Sequence, residues 1–173
     1  MVLMLKDSQG CRTSSAATRL PCEFDEPVAW EPKPTFLGNP TLQHEIEQAN
    51  GLCTLRVKEA GKGMKFLLPL QDAGAGDAVY LLVRYRARNL GTGGYALWVF
   101  DDSHGGRELA NPKSLIQDGQ WHLLALDLDA LGVKGELQAL IFEVQCRFAP
   151  GEVTLDYLRL SDTAPAEATC LPA

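Results

Sequence analysis

The chain has 173 residues, Lys+Arg 16 against Asp+Glu 22, a formal net charge of −6, 46% hydrophobic and 22% charged residues. That length suits one domain with one core, and a composition so close to the globular average excludes disorder as the main description. The acidic balance excludes a general nucleic-acid binder, because neutralising phosphate needs an excess of Lys and Arg, and no apolar run approaches the ~18 residues of a membrane-spanning helix.

In chain order, the opening Met1-Val2-Leu3-Met4-Leu5 has no basic region before it and meets Lys6 and Asp7, so no targeting signal is read. Residues 1–21, with a Ser/Thr/Ala run at 13–18, show neither helical nor strand period and are expected to be a leader or linker. The domain is expected to occupy residues 22–160. Residues 40–49 and 129–135 are short stretches that tempt a helical reading. Residues 52–58 alternate apolar with polar, and 64–69 follow the Gly61-Lys62-Gly63 turn. Further strands are expected at 78–88, 95–100, 122–129, 139–146 and 153–160, separated by Gly-, Asn-, Asp- and Pro-rich turns. Residues 161–173, rich in Pro, Ala and Thr, read as a linker stub. Ends of this kind suggest a module tethered within a longer polypeptide. The five cysteines, Cys11, Cys22, Cys53, Cys146 and Cys170, form no CxxC pair, which disfavours a zinc or redox motif. Either they stay reduced, or one bridge ties a tail to the body in an oxidising compartment.

Many strands with few helices predict an all-β fold, an antiparallel sandwich or barrel. Within 78–88, Val79, Leu81, Val83, Tyr85 and Ala87 are expected to face the core, which turns Tyr80, Leu82, Arg84, Arg86 and Arg88 outward. In 153–160 the alternation does not choose a face, as if the strand were covered on both sides. The segment Gly91-Thr92-Gly93-Gly94 lies between two strands and reads as a hairpin turn rather than a phosphate cradle.

Catalytic motifs are poorly represented: the histidines are His44, His104 and His122, without HExxH, GxSxG or a Walker loop. The segments Phe24-Asp25-Glu26-Pro27-Val28-Ala29-Trp30, Tyr80 to Arg88, Trp121 to Leu131, Leu140-Ile141-Phe142-Glu143-Val144 and Gly151 to Leu160 stand in an order and spacing that carry a family resemblance. They resemble the galactose-binding-domain-like β-sandwich, or jelly roll, of many carbohydrate-binding modules. The resemblance covers residues 22–160 and implies two antiparallel sheets. It further implies a polysaccharide or oligosaccharide ligand, a covalently attached enzyme or surface protein, and a secreted or cell-surface setting. In that family the first and last strands lie together and often share a structural calcium. Asp156 interrupts an apolar strand, so it either joins Glu23 and Asp25 around such a calcium or accepts turn N–H groups. Trp121 and Trp30 are each expected to plug the core.

Sugar recognition needs an aromatic plane and planar polar groups protruding from a rigid sheet. With Leu97 and Val99 inward, Trp98 would stand on the outer face beside Tyr80, Arg84 and Arg86, given a hairpin at 89–94. Tyr95 is the aromatic exposed by the opposite choice. Glu143 and Gln145 would turn outward from Leu140, Phe142 and Val144, and His122 would project opposite Trp121. The arginines point to an acidic polymer, since guanidinium meets carboxylate in a bidentate fork. A competing site is the loop rim at 89–94 and 101–107. Two other functions stay open: a spacer sandwich that binds no glycan, and a jelly-roll lyase or hydrolase using His122, Tyr80 and Arg84 or the pair Asp127 and Asp129.

Overall fold

The computed structural model describes residues 17–35, 44–74, 76–91, 96–103, 105–146 and 148–173. Among them are eleven strands: β1 (Glu31–Pro34), β2 (His44–Ala49), β3 (Leu52–Val57), β4 (Lys62–Pro69), β5 (Tyr80–Arg88), β6 (Leu97–Asp101), β7 (Gly106–Ala110), β8 (His122–Asp127), β9 (Leu137–Cys146), β10 (Gly151–Ser161) and β11 (Thr169–Leu171). They form a five-stranded sheet in the order β1-β4-β9-β6-β7 and a six-stranded sheet in the order β11-β8-β5-β10-β3-β2. Pairing is antiparallel except where β11 runs parallel to β8. This is the expected two-sheet β-sandwich.

The core comes from the apolar half of each alternation. Leu81, Val83, Tyr85 and Ala87 of β5 face Leu140, Phe142 and Val144 of β9, Met64, Phe66 and Leu68 of β4, and Leu97 and Val99 of β6 in one buried cluster. Trp30 joins it edge-on to Phe142, with ring centroids 5.9 Å apart. Cys22, Cys53 and Cys146 are buried free thiols and Cys170 is an exposed one. Burial pushes the Cys53 thiol up to about 12 and Cys146 to about 11, which keeps both protonated and unreactive.

Three local expectations change. Residues 44–49 form a strand, not a helix: Glu45 and Glu47 recur with period two and both reach the Arg56 guanidinium on β3. β5 and β6 do not pair as the expected hairpin would require, since β5 pairs with β8 and β10 in one sheet while β6 pairs with β7 and β9 in the other. Residues 92–95 lie outside the described set. In β10 the register shifts between Leu155 and Tyr157, leaving Asp156 as the extra residue of a bulge. The bulge reverses the phase: Val153 and Leu155 point inward before it and Leu158 after it. Alternation therefore failed there because two correct alternations are spliced.

The tails also differ from the linker reading. Thr169, Cys170 and Leu171 pair with Leu124, Ala125 and Leu126 of β8, and Leu171 is buried. Near the other end, Thr18 bridges Leu70, and Cys22 exchanges two backbone hydrogen bonds with Leu158. The start and the last long strand therefore do lie together. Gln48 secures the following turn, accepting from Val28 N and donating to the Phe24 and Glu26 carbonyls.

Candidate functional site

The outer face of the five-stranded sheet is assembled by register. Trp98 of β6 lies opposite Ile141 of β9 and Glu108 of β7, while Lys65 of β4 lies opposite Glu143 of β9 and Lys33 of β1. Trp98, Phe100, Ile141, Glu143, Gln145, Lys65 and Leu67 thus share the side turned away from the core. Gly106 opposes Phe100, and a Cβ there would come within 3.2 Å of Trp98 Cε3. The edge strand leaves room for the indole by having no side chain at that point.

The polar groups of this face are organised rather than loose. Glu143 is 2% exposed, a position a carboxylate holds only when donors meet it. Trp98 Nε1 donates to its Oε2 at 3.2 Å, and the Gln145 amide donates to its Oε1. Lys65 Nζ stands 4.7 Å from the Trp98 ring centroid, a cation over the π face. The expectation that Trp98, Glu143 and Gln145 point outward holds, and the structure brings the three together. Lys65 was not anticipated, although its outward phase is legible between inward Met64 and Phe66. Tyr95 lies outside the described residues.

Tyr80, Arg84 and Arg86 do not accompany them. They occupy the outer face of the six-stranded sheet, so the aromatic shelf and the arginine row are on opposite sides of the sandwich. The arginines have an aromatic neighbour of their own: Arg84 Cζ lies 4.9 Å and Arg86 Cζ 5.0 Å from the Trp121 ring centroid. Trp121 therefore stands on this outer face and is not the expected core plug. His122 takes the inward position against Tyr85, with ring centroids 6.0 Å apart, and its Nε2 meets Asp118 Oδ1 at 2.9 Å. With His122 on one side of the sheet and Tyr80 and Arg84 on the other, these residues do not assemble as base and charge neutraliser. Asp127 receives Ala130 N at a turn.

The expected calcium shell is not assembled. Glu23 forms a bidentate pair with Arg159, 2.7 Å at each oxygen, and Asp156 pairs with Arg84. Asp25 is exposed beside Gly51. Among the described residues no group of three or more His, Cys, Asp or Glu side chains could hold a metal ion. The bulge places Asp156 within reach of a guanidinium, and that cation answers the carboxylate that alternation singled out.

At the loop rim, Asp101 is 1% exposed. Burial works against its charge, but hydrogen bonds from Ser103 Oγ and N, Lys134 N and Arg107 Nε outweigh this and hold its carboxyl down at about 2. Asp102 accepts from Glu136 N and Gln138 Nε2. These acids tie loops together.

No family model matches the chain, and no curated protein matches it. Solved structures do. The chain superposes on PfGH50B with a TM-score of 0.56 at 9% identity, covering 84% of this chain and 24% of that one. A family 28 module specific for non-crystalline cellulose gives 0.52 at 13% identity, with coverage of 84% and 94%. A mutant family 29 carbohydrate-binding module gives 0.51 at 10% identity, with coverage of 82% and 100%. The chain thus spans about a quarter of PfGH50B but nearly all of each of the two module chains. At such identities the likeness is one of fold: the chain has the β-sandwich fold of these carbohydrate-binding modules.

Proposed function

We propose that this sandwich is a non-catalytic carbohydrate-binding module that takes a polysaccharide segment across the outer face of its five-stranded sheet. The observation that carries the reading is Trp98, an indole on a sheet face with its Nε1 held by a nearly buried carboxylate, Glu143. A pyranose stacks its C–H face on that ring, while Lys65 offers a donor to sugar hydroxyls and Glu143, itself held by Gln145, fixes the indole from behind. Holding Trp98 and Gln145 to one carboxylate before ligand arrives lowers the ordering cost of binding.

The acidic preference expected from Arg84 and Arg86 does not belong to this face, whose Lys65 is accompanied by Glu143 and Glu108. A neutral, hydroxyl-rich polymer fits it better. Because the family 28 neighbour is specific for non-crystalline cellulose, amorphous cellulose is the first polymer to try. Attachment to a catalytic domain completes the reading, in keeping with the small share of PfGH50B that this fold occupies, and the setting proposed with it is secreted or cell-surface.

The test is affinity electrophoresis in gels containing neutral soluble polysaccharides, beginning with hydroxyethyl cellulose. Retardation that Trp98→Ala removes supports the proposal. Wild-type mobility unchanged across the neutral panel leaves the spacer reading in its place.

A further inference from the structure

Among the described residues, Arg19, Arg56, Arg84, Arg107 and Arg159 each hold a carboxylate. Arg86 and Arg88 hold none among those residues, in a chain whose acids outnumber its bases 22 to 16. They are successive outward residues of β5, about 7 Å apart along the strand. Both reach the turn that leads into β8. Arg86 lies over Trp121, and a Cβ on Gly119 would stand 2.3 Å from Arg88 Nε and 2.4 Å from its Cζ and Nη2. The Arg88 guanidinium therefore fills the space that a side chain at position 119 would take, and Gly119, at φ +76°, is also in the left-handed region that favours glycine.

Nearby acids are already engaged. Asp156 is held by Arg84, Glu152 by Arg56, and Asp118 by Gln120 N and His122. Arg86 is thus positioned beside an indole and Arg88 against Gly119, both with donors to offer, and Glu152, which lies opposite Arg88 in the β5–β10 register, is held by Arg56. An oxyanion with two or more oxygens matches that fork geometry.

We propose that this patch is a second carbohydrate site, which takes the carboxylate or sulfate group of an acidic polysaccharide on Arg86 and Arg88 while Trp121 walls the sugar ring. The site is independent of the Trp98 face, which lies on the other sheet. A nucleic acid fits it poorly: the same sheet face carries Glu45, Glu47, Glu152 and Asp156, which repel a continuous line of phosphates. A glycan places its anions singly and its hydroxyls between them.

The experiment runs the full chain through gels containing polygalacturonate, dextran sulfate or uncharged dextran, with a parallel mobility assay on single-stranded DNA. Retardation is expected in at least one anionic gel and not in dextran; the carboxylate and sulfate arms identify which group binds. Arg86→Ala with Arg88→Ala should weaken that retention at least about tenfold at an unchanged melting temperature. Should that double change disturb folding, Arg86→Lys with Arg88→Lys keeps both charges and should still weaken binding, because the fork is lost. Trp98→Ala should leave anionic retention intact. The proposal is overturned by unretarded wild type in both anionic gels, by arginine variants that bind like wild type, by loss of anionic retention in Trp98→Ala, or by DNA binding of equal strength.

Discussion

Trp98 Nε1 donates a 3.2 Å hydrogen bond to Glu143 Oε2 across the β6–β9 pair, so the aromatic plane on the five-stranded sheet is fixed to a buried carboxylate. Neither residue can be altered without consequences for the other. Trp98→Ala is expected to abolish retention by the cognate polysaccharide while changing the melting transition little, since the ring packs outside the core. Glu143→Gln keeps an acceptor for the indole and should retain binding within a few-fold. Glu143→Ala leaves the indole N–H and the Gln145 amide without their partner, and its affinity should fall about tenfold or more. Affinity electrophoresis with a matched thermal melt reads all three.

Asp101 gives a pH signature. Its folded-state pKa, about 2, lies below that of an unfolded aspartate, about 3.9. Its contribution, on the order of 2 kcal/mol, is therefore complete above about pH 4 and is lost as pH falls through about 2. Asp101→Asn should destabilise the protein by that order at pH 7, and urea melts should show wild type and variant converging below pH 4. A constant difference down to pH 2 would contradict the assignment.

Asp156 is paired with the Arg84 guanidinium, so EDTA and added calcium should both leave the melting temperature unchanged. Arg84→Ala should cost about 0.5–1 kcal/mol, the range for a partly exposed pair, and should not create calcium dependence. A melting temperature that rises with calcium in the wild type would return Glu23, Asp25 and Asp156 to a metal site.

Removing residues 169–173 strips β11 from β8 and exposes Leu171's burial site and a sheet edge. A thermal melt should show a loss of several degrees, whereas a mere linker would be removable without effect.

Much of the fold was legible because polarity alternation is local. The inward set Leu81, Val83, Tyr85 and Ala87, and the outward turn of Trp98, Glu143 and Gln145, follow from period two alone. Where the signal was absent, the reason is equally physical. Thr169, Cys170 and Leu171 bury only Leu171, so composition there resembles a linker. In β10 the bulge at Asp156 cuts one alternation into two phases.

Within any strand, the chain dictates which residues look toward the core and which look away, because successive side chains must leave a pleated backbone on opposite sides. It does not dictate which sheet a strand joins, since that depends on hydrogen-bonded partners far along the sequence. Only the tertiary structure set β5 and β6 in different layers, gave Trp98 to Glu143 and Lys65, gave Trp121 to Arg84 and Arg86, and so made two separate faces out of one expected platform.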